Sequence, residues 1–387
     1  MTTVKQAAAT VIDAAAESLL GLSHRIHAHP ELAFAERQSA EWVAAALAEG
    51  GMDVVTGICD LPTAFSASAG TGPLHIGICA EYDALPDMGH ACGHNVIAAA
   101  AVGAGLALAQ VADDLGITVT VFGTPAEEGG GGKILMLDRG AFDGVHAALM
   151  VHPGPIEYPV MACLAVKHLD VHFHGKSAHA SAFPEQGRNA ADALTVAQVA
   201  IGLLRQHINP TERIHGIVIK GGEAPNIVPA HTIGKWYVRA STTAELAKLD
   251  ARVQRCFEAG ALATGCTVET VPQSPTYSEM RADTELTALY RANAEALGRV
   301  FPDVPAADYE RGAASTDMAN VSLVVPTIHP MLGIGSLPAV NHQPEFAAHC
   351  IKAEADQAVI DGATAMAWTA IDAATKAVVR ARLLAGR

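Results

Sequence analysis

Residues 74–95 read LHIGICAEYDALPDMGHACGHN, an apolar run followed by a polar loop and the start of an alanine-rich segment. Leu74 to Ala80 has the length and composition of a buried strand. The segment Val96 to Ala109 (VIAAAAVGAGLALA) predicts a buried helix, because it is shorter than the ~20 residues that a membrane span needs. Strand, loop and helix in this order indicate an α/β sheet whose functional residues follow the strand ends.

The alternation of strand-like and helical patterns continues on both sides of this stretch. Strand-like runs occur at 53–57, 64–69, 117–122 and 147–151, and helical patterns at 4–23, 35–48, 133–138 and from 348 onward. They predict a mixed central sheet flanked by helices. Between 166 and 277 the predicted order becomes β-α-β-β-α-β, which is typical of a ferredoxin-like α+β domain. We therefore expect a large domain formed by residues 1–165 and 278–387, with a small domain, residues 166–277, inserted into it.

The composition limits the class of protein. With 387 residues and 50% hydrophobic content, the chain can form two packed domains. Its formal net charge of −15 disfavours binding to nucleic acid or to an anionic membrane surface, so neither is expected as a partner. The seven cysteines include no C-x-x-C pair, and Asp13 and Glu17 interrupt any N-terminal export signal. A reduced, cytoplasmic location is therefore expected.

Two adjacent carboxylates follow one of the predicted strands. Glu127 and Glu128 come after the run at 117–122 and before Gly129 to Gly132. By themselves they are more typical of a solvated acidic loop. In a hydrolase, however, one glutamate can bind a metal ion while its neighbour takes a proton from water.

Thiol and imidazole groups follow other predicted strands. Cys92 and His94 lie two residues apart in the loop after the first strand quoted above, and His152 directly follows the run at 147–151. His342 precedes the last long helix. Each alone has a simpler explanation, as a buried cysteine, a surface histidine or a polar cap of a strand. Because strand ends meet at one edge of a sheet, these four residues and Glu128 are expected to converge, and five ligands suit two metal ions with Glu127 left as the general base.

Motifs along nearly the whole chain carry a family resemblance. They are HPELAF (29–34), YDALP (82–86), HACGHN (90–95), PAEEGGGGK (125–133), VHPGP (151–155), GKSAHA (175–180), GGEAPNIVP (221–229) and NHQPEF (341–346). The chain resembles the two-metal amidohydrolases and peptidases that include aminoacylase, acetylornithine deacetylase and glutamate carboxypeptidase. Within them it is similar to the branch of indole-acetyl-amino-acid hydrolase and p-aminobenzoyl-glutamate hydrolase, where a cysteine replaces a bridging aspartate.

The resemblance implies a role for each candidate residue. The implied metal ligands are Cys92, His94, Glu128, His152 and His342. Glu127 is implied as general base and Asp83 as the residue that orients a ligand. The inserted domain would be a lid that mediates homodimerisation, with His179 reaching across the dimer to stabilise the oxyanion and Asn226 and Arg239 near the substrate carboxylate. From the residues alone, these last three have ordinary alternatives: a loop cap, a turn residue and an exposed strand charge.

The activity implied by the resemblance is hydrolysis of an amide bond in an N-acyl amino acid or a dipeptide-like substrate, by water held between two divalent ions. Thiolate and imidazole ligands favour zinc, and manganese and cobalt are alternatives. Two other functions stay open. One is a dipeptidase that requires a free amine, of the β-alanyl-dipeptide type, and the other is a non-catalytic binding protein on the same scaffold.

Two departures from the family pattern leave the substrate undetermined. Asn95 stands where many relatives in this branch have aspartate, which resembles the p-aminobenzoyl-glutamate hydrolase and β-alanyl dipeptidase side of the branch. Residues Gly312 to Asp317 (GAASTD) differ from the glutamate-aspartate-phenylalanine motif of the plant-hormone hydrolases, with Asp317 in a related place. Pocket shape depends on lid and loop residues that no motif fixes.

Overall fold

The computed structural model describes residues 2–305 and 313–386. It divides the chain into a large unit, Met1–Ala162 with Met280–Arg387, and a small unit, Cys163–Glu279. The divisions expected from the sequence, at 165/166 and 277/278, differ from these bounds by three and two residues, and the first of them falls inside strand β7 (Ala165–His174). Of the GAASTD segment, Gly312 lies outside the described residues.

The helices and strands alternate along the described chain. The helices are α1 (Thr3–Ala28), α2 (Arg37–Glu49), α3 (His94–Leu115), α4 (Gly132–Asp138), α5 (Ala190–Leu204), α6 (Thr243–Thr264), α7 (Thr284–Ala296), α8 (Met318–Val324), α9 (Pro344–His349), α10 (Ala353–Thr375) and α11 (Ala377–Leu384). The strands are β1 (Asp53–Thr56), β2 (Phe65–Ala69), β3 (Leu74–Ala80), β4 (Ile117–Gly123), β5 (Ala147–Leu149), β6 (His152–Gly154), β7 (Ala165–His174), β8 (Arg213–Lys220), β9 (His231–Ala240), β10 (Thr267–Pro272), β11 (Thr327–Ile328) and β12 (Met331–Gly333).

The large unit is built on a mixed sheet. Among the described residues its strand order is β1-β2-β4-β3-β5-β11. β3 runs parallel to both β4 and β5, and β2 runs antiparallel to β1 and β4. The parallel strands β3, β4 and β5 therefore end at the same edge. The predicted fold class, a mixed central sheet flanked by helices, is confirmed.

The apolar helix α3 is the centre of this unit's core. It packs against β3 and β4 and against helices α1 and α10. Small side chains permit this contact from both sides: a Cβ on Gly105 would lie 2.4 Å from Val121 of β4, and one on Gly103 would lie 2.9 Å from Ala363 of α10. In length and composition α3 could span a membrane, but 83% of its most apolar window is buried within the protein. It is a core helix, as its alanine and glycine content predicts.

The small unit has the predicted β-α-β-β-α-β order, formed by β7, α5, β8, β9, α6 and β10. Its antiparallel sheet has the order β10-β7-β9-β8. Helices α5 and α6 pack on one face, where alternate residues of β7 and β9 are buried. A side chain caps the N-terminus of each helix: Asn189 accepts the backbone N–H of Ala191, and Thr242 accepts that of Glu245.

Two predicted elements were wrong in their extent, one of them beside a candidate ligand. The predicted strand at 147–151 ends at Leu149, and His152 begins β6, which pairs with β12 in a separate two-stranded ladder. The final helix is interrupted before Ala353, because Lys352 has extended backbone angles. In both cases the apolar pattern continues across a break that local sequence does not mark.

Candidate metal centre

Asp83 links the ends of two neighbouring strands. It is buried just beyond β3, and one carboxylate oxygen lies 3.0 Å from Nδ1 of His94. The other oxygen accepts the backbone N–H of Glu128, beyond β4, at 3.0 Å. Burial raises the pKa of Asp83, but His94 lowers it and the net shift is downward. An ionised Asp83 accepts the Nδ1–H of His94, which leaves Nε2 available as a ligand atom.

The position between Cys92 and His94 requires glycine. Gly93 has a φ of +79° directly before α3. A Cβ here would lie 2.4 Å from Cγ of Pro153 and 3.2 Å from Sγ of Cys350. The left-handed backbone and the close contact with Pro153 both exclude a larger side chain, so the C-G-H motif has a geometric cause.

The start of β6 positions His152. Its Nδ1–H donates to the carbonyl oxygen of Pro153 at 2.9 Å, and its Nε2 lies 3.5 Å from Sγ of Cys92. Burial lowers the pKa of His152 to about 4. The ring is therefore neutral near pH 7 and presents an unprotonated Nε2 beside the thiol, which is the form that binds metal.

The loop containing His342 is tied back to the C-G-H segment. The backbone N–H of His342 donates to the carbonyl of Ala91 at 2.8 Å, and the Asn341 amide donates to that of Pro153 at 3.1 Å. His342 has a φ of +66°, and its Nε2 lies 3.6 Å from a carboxylate oxygen of Glu128. Its side chain is 54% exposed, so it forms the solvent side of the cluster.

The candidate ligand atoms form two groups that share Cys92. One atom from each of Cys92, His94 and His152 lies within 4.8 Å of the others, and the same holds for Cys92, Glu128 and His342. The structure thus brings together the five residues named from the sequence as candidate ligands. A residue common to two groups of three is what a bridging ligand requires.

Glu127 lies beside these groups and is buried. One of its carboxylate oxygens is 3.8 Å from Nε2 of His94. Burial, together with the neighbouring carboxylates of Glu81 and Glu128, raises the pKa of Glu127 well above its ordinary value. A carboxylate with raised proton affinity in this position can accept a proton and return it, as a general base must.

Three buried residues next to the ligand groups form an ionic network: Glu81, Lys133 and Asp317. Glu81 directly follows β3, and its carboxylate lies 2.5 Å from Nζ of Lys133 and 3.4 Å from Nε2 of His94. Lys133 also contacts Asp317 at 2.7 Å, and its backbone N–H donates to the same carboxylate. The motifs gave no role to Glu81 or Lys133. Glu81 directly precedes the YDALP motif, and Lys133 is the last residue of PAEEGGGGK. No sequence pattern indicates that these two side chains are in contact.

Asn95 packs within the protein core and does not belong to either group of candidate ligands. Its buried amide donates to Oγ of Ser23 at 2.9 Å and to the carbonyl oxygen of Cys350 at 3.0 Å. An ionised aspartate could not donate either hydrogen bond. The two hydrogen bonds that Asn95 donates from α3 therefore account for asparagine at this position instead of the aspartate found in many relatives.

The remaining predicted residues lie in the small unit. His179 and Asn226 are on facing loops: Ala180 donates its backbone N–H to the carbonyl of Asn226 at 3.0 Å. Nδ1 of His179 accepts the backbone N–H groups of Ser181 and Ala182, so the loop-capping interpretation is part of its role. Arg239 lies near the other end of β9, with its Nε 3.3 Å from Nε2 of His215.

The donor set of the large unit fits metal ions. Within the described residues, the buried atoms Nε2 of His94 and Oε1 of Glu128 have no hydrogen-bond partner. Burial raises the pKa of the Cys92 thiol well above its ordinary value, and Glu128 raises it further. Divalent cations would stabilise the thiolate and compensate the crowded carboxylates. Imidazole, thiolate and carboxylate together suit zinc-like ions.

Candidate ligands that follow the parallel strands β3 and β4, joined by His152 and His342 and with a buried glutamate beside them, are the arrangement expected of a metal-dependent hydrolase. Residues 77–359 match the sequence profile of peptidase family M20/M25/M40, and the chain belongs to this family. It is similar to the Xaa-Arg dipeptidase of Mus musculus, with 39% identity over 95% of this chain and 88% of that protein. It is also similar to a p-aminobenzoyl-glutamate hydrolase chain of Escherichia coli (strain K12), with 34% identity over 67% of this chain and 58% of that protein. The resemblance drawn from the motifs is confirmed.

Solved structures show the same fold. An aminobenzoyl-glutamate utilization protein from Klebsiella pneumoniae superposes with a TM-score of 0.73 at 20% identity, over 93% of this chain and 97% of that one. A dinuclear metal-binding peptidase of family M20 from Bacillus subtilis superposes with a TM-score of 0.68 at 21% identity, over 93% and 98%. The chain is a metal-dependent hydrolase of amide bonds, as predicted.

The buried Lys133 network generates a stability prediction. We expect Lys133→Met to lower the free energy of unfolding by about 3–5 kcal/mol, because it leaves the buried carboxylates of Glu81 and Asp317 without their cation. Urea unfolding measures this. The control is Lys167→Met, which removes the more exposed ion pair with Asp250 and should cost about 1 kcal/mol or less. Equal losses in the two variants would contradict the importance of the buried network.

Proposed function

We propose that the protein hydrolyses the peptide bond of dipeptides with arginine as the C-terminal residue. The hydrolytic part of the proposal is carried by one observation, the buried Glu127 beside two candidate ligand groups that share Cys92. The substrate class is supported by the Xaa-Arg dipeptidases of Mus musculus and Homo sapiens, which are 39% and 37% identical to this chain over 95% of its length. A net charge of −15 favours a cationic substrate.

N-acyl amino acids are the second candidate substrates. Relatives that support them are the p-aminobenzoyl-glutamate hydrolase chain of Escherichia coli and the N-acetyl-L-cysteine deacetylase of Bacillus subtilis, at 34% and 29% identity. They cover 67% and 58% of this chain, less than the dipeptidases do. The two classes differ in whether the substrate has a free amine.

The proposed division of labour follows the contacts of each residue. Cys92, His94, Glu128, His152 and His342 would hold two divalent ions, with Cys92 shared. Such a pair polarises the scissile carbonyl and lowers the pKa of water. Glu127 accepts the proton of the attacking water and returns it to the leaving nitrogen. Asp83 fixes the orientation of His94, and the Pro153 carbonyl fixes that of His152.

The small unit supplies the proposed substrate contacts. Because Nδ1 of His179 accepts two backbone N–H groups, its proton is on Nε2, which can donate to a developing oxyanion. Asn226 and Arg239 are proposed to contact the substrate carboxylate, for which the planar guanidinium of arginine is suited. Asn226 precedes the start of β9, whereas Arg239 lies near its end. This separation supports a shared site to which two copies of the chain contribute different residues.

Metal identity and location are further parts of the proposal. Zinc is preferred because thiolate and imidazole ligands select it, with manganese or cobalt as alternatives. A cytoplasmic location is supported by the cysteines, which form no disulfide among the described residues. A reducing compartment would also preserve the Cys92 thiolate.

A homodimer through the small unit is supported by the strand β8. It lies at the end of the described sheet order, and three consecutive apolar side chains on it, Ile217, Val218 and Ile219, are 61%, 45% and 53% exposed. An apolar edge strand of this kind is a template for pairing with a second strand. Antiparallel pairing with the same strand of a second copy forms a closed, two-fold interface.

A panel of substrates tests the proposed specificity. We expect Ala-Arg to be cleaved with a kcat/KM at least about tenfold above those of Ala-citrulline, N-acetyl-arginine and p-aminobenzoyl-glutamate, a difference of ~1.4 kcal/mol. Citrulline has nearly the shape of arginine without its charge, and the acetyl group removes the free amine. Equal or faster cleavage of N-acetyl-arginine would reject the dipeptidase assignment in favour of the second candidate.

Substitutions at the centre separate the base from the ligands. We expect Glu127→Gln to lower kcat by about 10²–10⁴-fold with unchanged metal content, because the amide cannot take a proton from water. Cys92→Ala should instead lower the bound metal, measured by elemental analysis after dialysis. Full activity in the first variant, or unchanged metal in the second, would reject the corresponding role.

The proposed dimer can be disrupted at one position. Ile217→Lys places a charge on the β8 edge and should convert the dimer into a monomer in sedimentation-velocity experiments. The control is Leu262→Lys on α6, a position that is 86% exposed and outside the edge, which should remain dimeric. A monomeric wild type, or a dimeric Ile217→Lys variant, would rule out this interface.

A further inference from the structure

Three histidines lie together on the sheet face of the small unit that α5 and α6 leave uncovered. His172 and His174 are two residues apart on β7, so both point to the same face. The register of β7 with β9 places His231 directly opposite His174. We call His172, His174 and His231 the lid histidine cluster. Its members belong to the small unit alone and include none of the candidate catalytic ligands.

The ring nitrogens of the cluster have the spacing of metal ligands. Nδ1 of His172 lies 3.0 Å from Nε2 of His231, and one nitrogen from each of the three rings lies within 4.8 Å of the others. In a tetrahedral zinc site, with Zn–N distances of ~2.0–2.1 Å, two nitrogen ligands are about 3.3 Å apart. Rotation of these partly exposed side chains would bring the three nitrogens, which now lie within 4.8 Å of one another, to this spacing.

The rings are nearly parallel. The planes of His174 and His231 differ by 1° at a centroid distance of 4.8 Å, and those of His172 and His231 by 12° at 5.3 Å. The lone pair of an unprotonated ring nitrogen lies in the plane of its ring, so parallel rings do not point at one common atom. Binding of a single ion therefore requires these partly exposed rings to turn about their Cβ–Cγ bonds, a torsion that is broad for histidine.

A carboxylate lies next to the cluster. Glu269 of β10 is opposite His172 in the ladder, and its Oε2 is 3.7 Å from Nε2 of His174. Its side chain is 65% exposed and can rotate toward the three nitrogens. Three imidazoles and one carboxylate form a complete tetrahedral ligand set.

We propose that the lid histidine cluster, completed by Glu269, binds one late first-row divalent ion such as Zn²⁺, in addition to the ions of the catalytic centre. Imidazole-rich sites favour zinc, copper and nickel over magnesium or calcium. The ion cross-links β7, β9 and β10 at one end of the sheet. The loop with His179 follows β7, the loop with Asn226 precedes β9, and the ion therefore stiffens the base of both loops.

Metal stoichiometry tests this proposal independently of turnover. The full-length protein is dialysed against micromolar free Zn²⁺, and the bound zinc per chain is measured by elemental analysis. We expect His174→Gln with His231→Gln to lose one equivalent relative to the wild type. The matched control is His168→Gln with His215→Gln, two histidines of the same sheet that are outside the cluster, and it should retain the wild-type stoichiometry.

A milder variant covers the case in which the double substitution misfolds. Glu269→Gln keeps all three imidazoles and should raise the Kd of this one ion about 10-fold. Equal zinc content in the wild type and the folded double variant, or loss of zinc from the control to the same extent, would overturn the proposal. Binding at the cluster that requires millimolar zinc would also overturn it. Cys92→Ala acts on different ions, so failure of the catalytic assignment is distinguishable.

Discussion

The buried carboxylate of Asp83 makes the contacts on which the candidate metal centre depends. One oxygen holds the imidazole of His94 and the other holds the backbone of Glu128, so a single buried side chain fixes residues that follow β3 and β4. Because both bonds involve an ionised acceptor in a buried site, they are costly to lose. The parallel ladder of β3 and β4 determines where these loops emerge, and Asp83 determines how their side chains are turned.

The same region concentrates negative charge that the protein alone compensates only in part. Glu81 and Asp317 share the buried cation of Lys133, whereas Glu127 and Glu128 lie against His94. Burial of several carboxylates with few cations destabilises a fold unless other positive charge is supplied. Divalent ions bound by the two ligand groups that share Cys92 would supply this positive charge. Metal binding would then contribute to the stability of the centre as well as to its function.

Much of the centre could be predicted from the sequence because its residues follow strand ends. Cys92, His94 and Glu128 follow apolar runs, His342 precedes the last long helix, and the structure groups all four. Glu81 and Lys133 could not be found in this way. Their significance comes from an ion pair between distant positions, and a glutamate after a strand or a lysine after glycines has no distinctive local pattern. The lid histidine cluster was missed for a related reason, since His231 joins the other two only through strand register.

The sequence by itself determined the alternation of strands and helices, the inserted β-α-β-β-α-β unit and the types of donor available, because these depend on local periodicity and side-chain chemistry. The tertiary structure decided that Cys92 belongs to two ligand groups, that Asn95 packs against Ser23 and Cys350, and that His152 begins β6 rather than following a longer strand. These are distances and directions between residues far apart in the chain. They are set by how strands pair and helices pack, which no local stretch of sequence specifies.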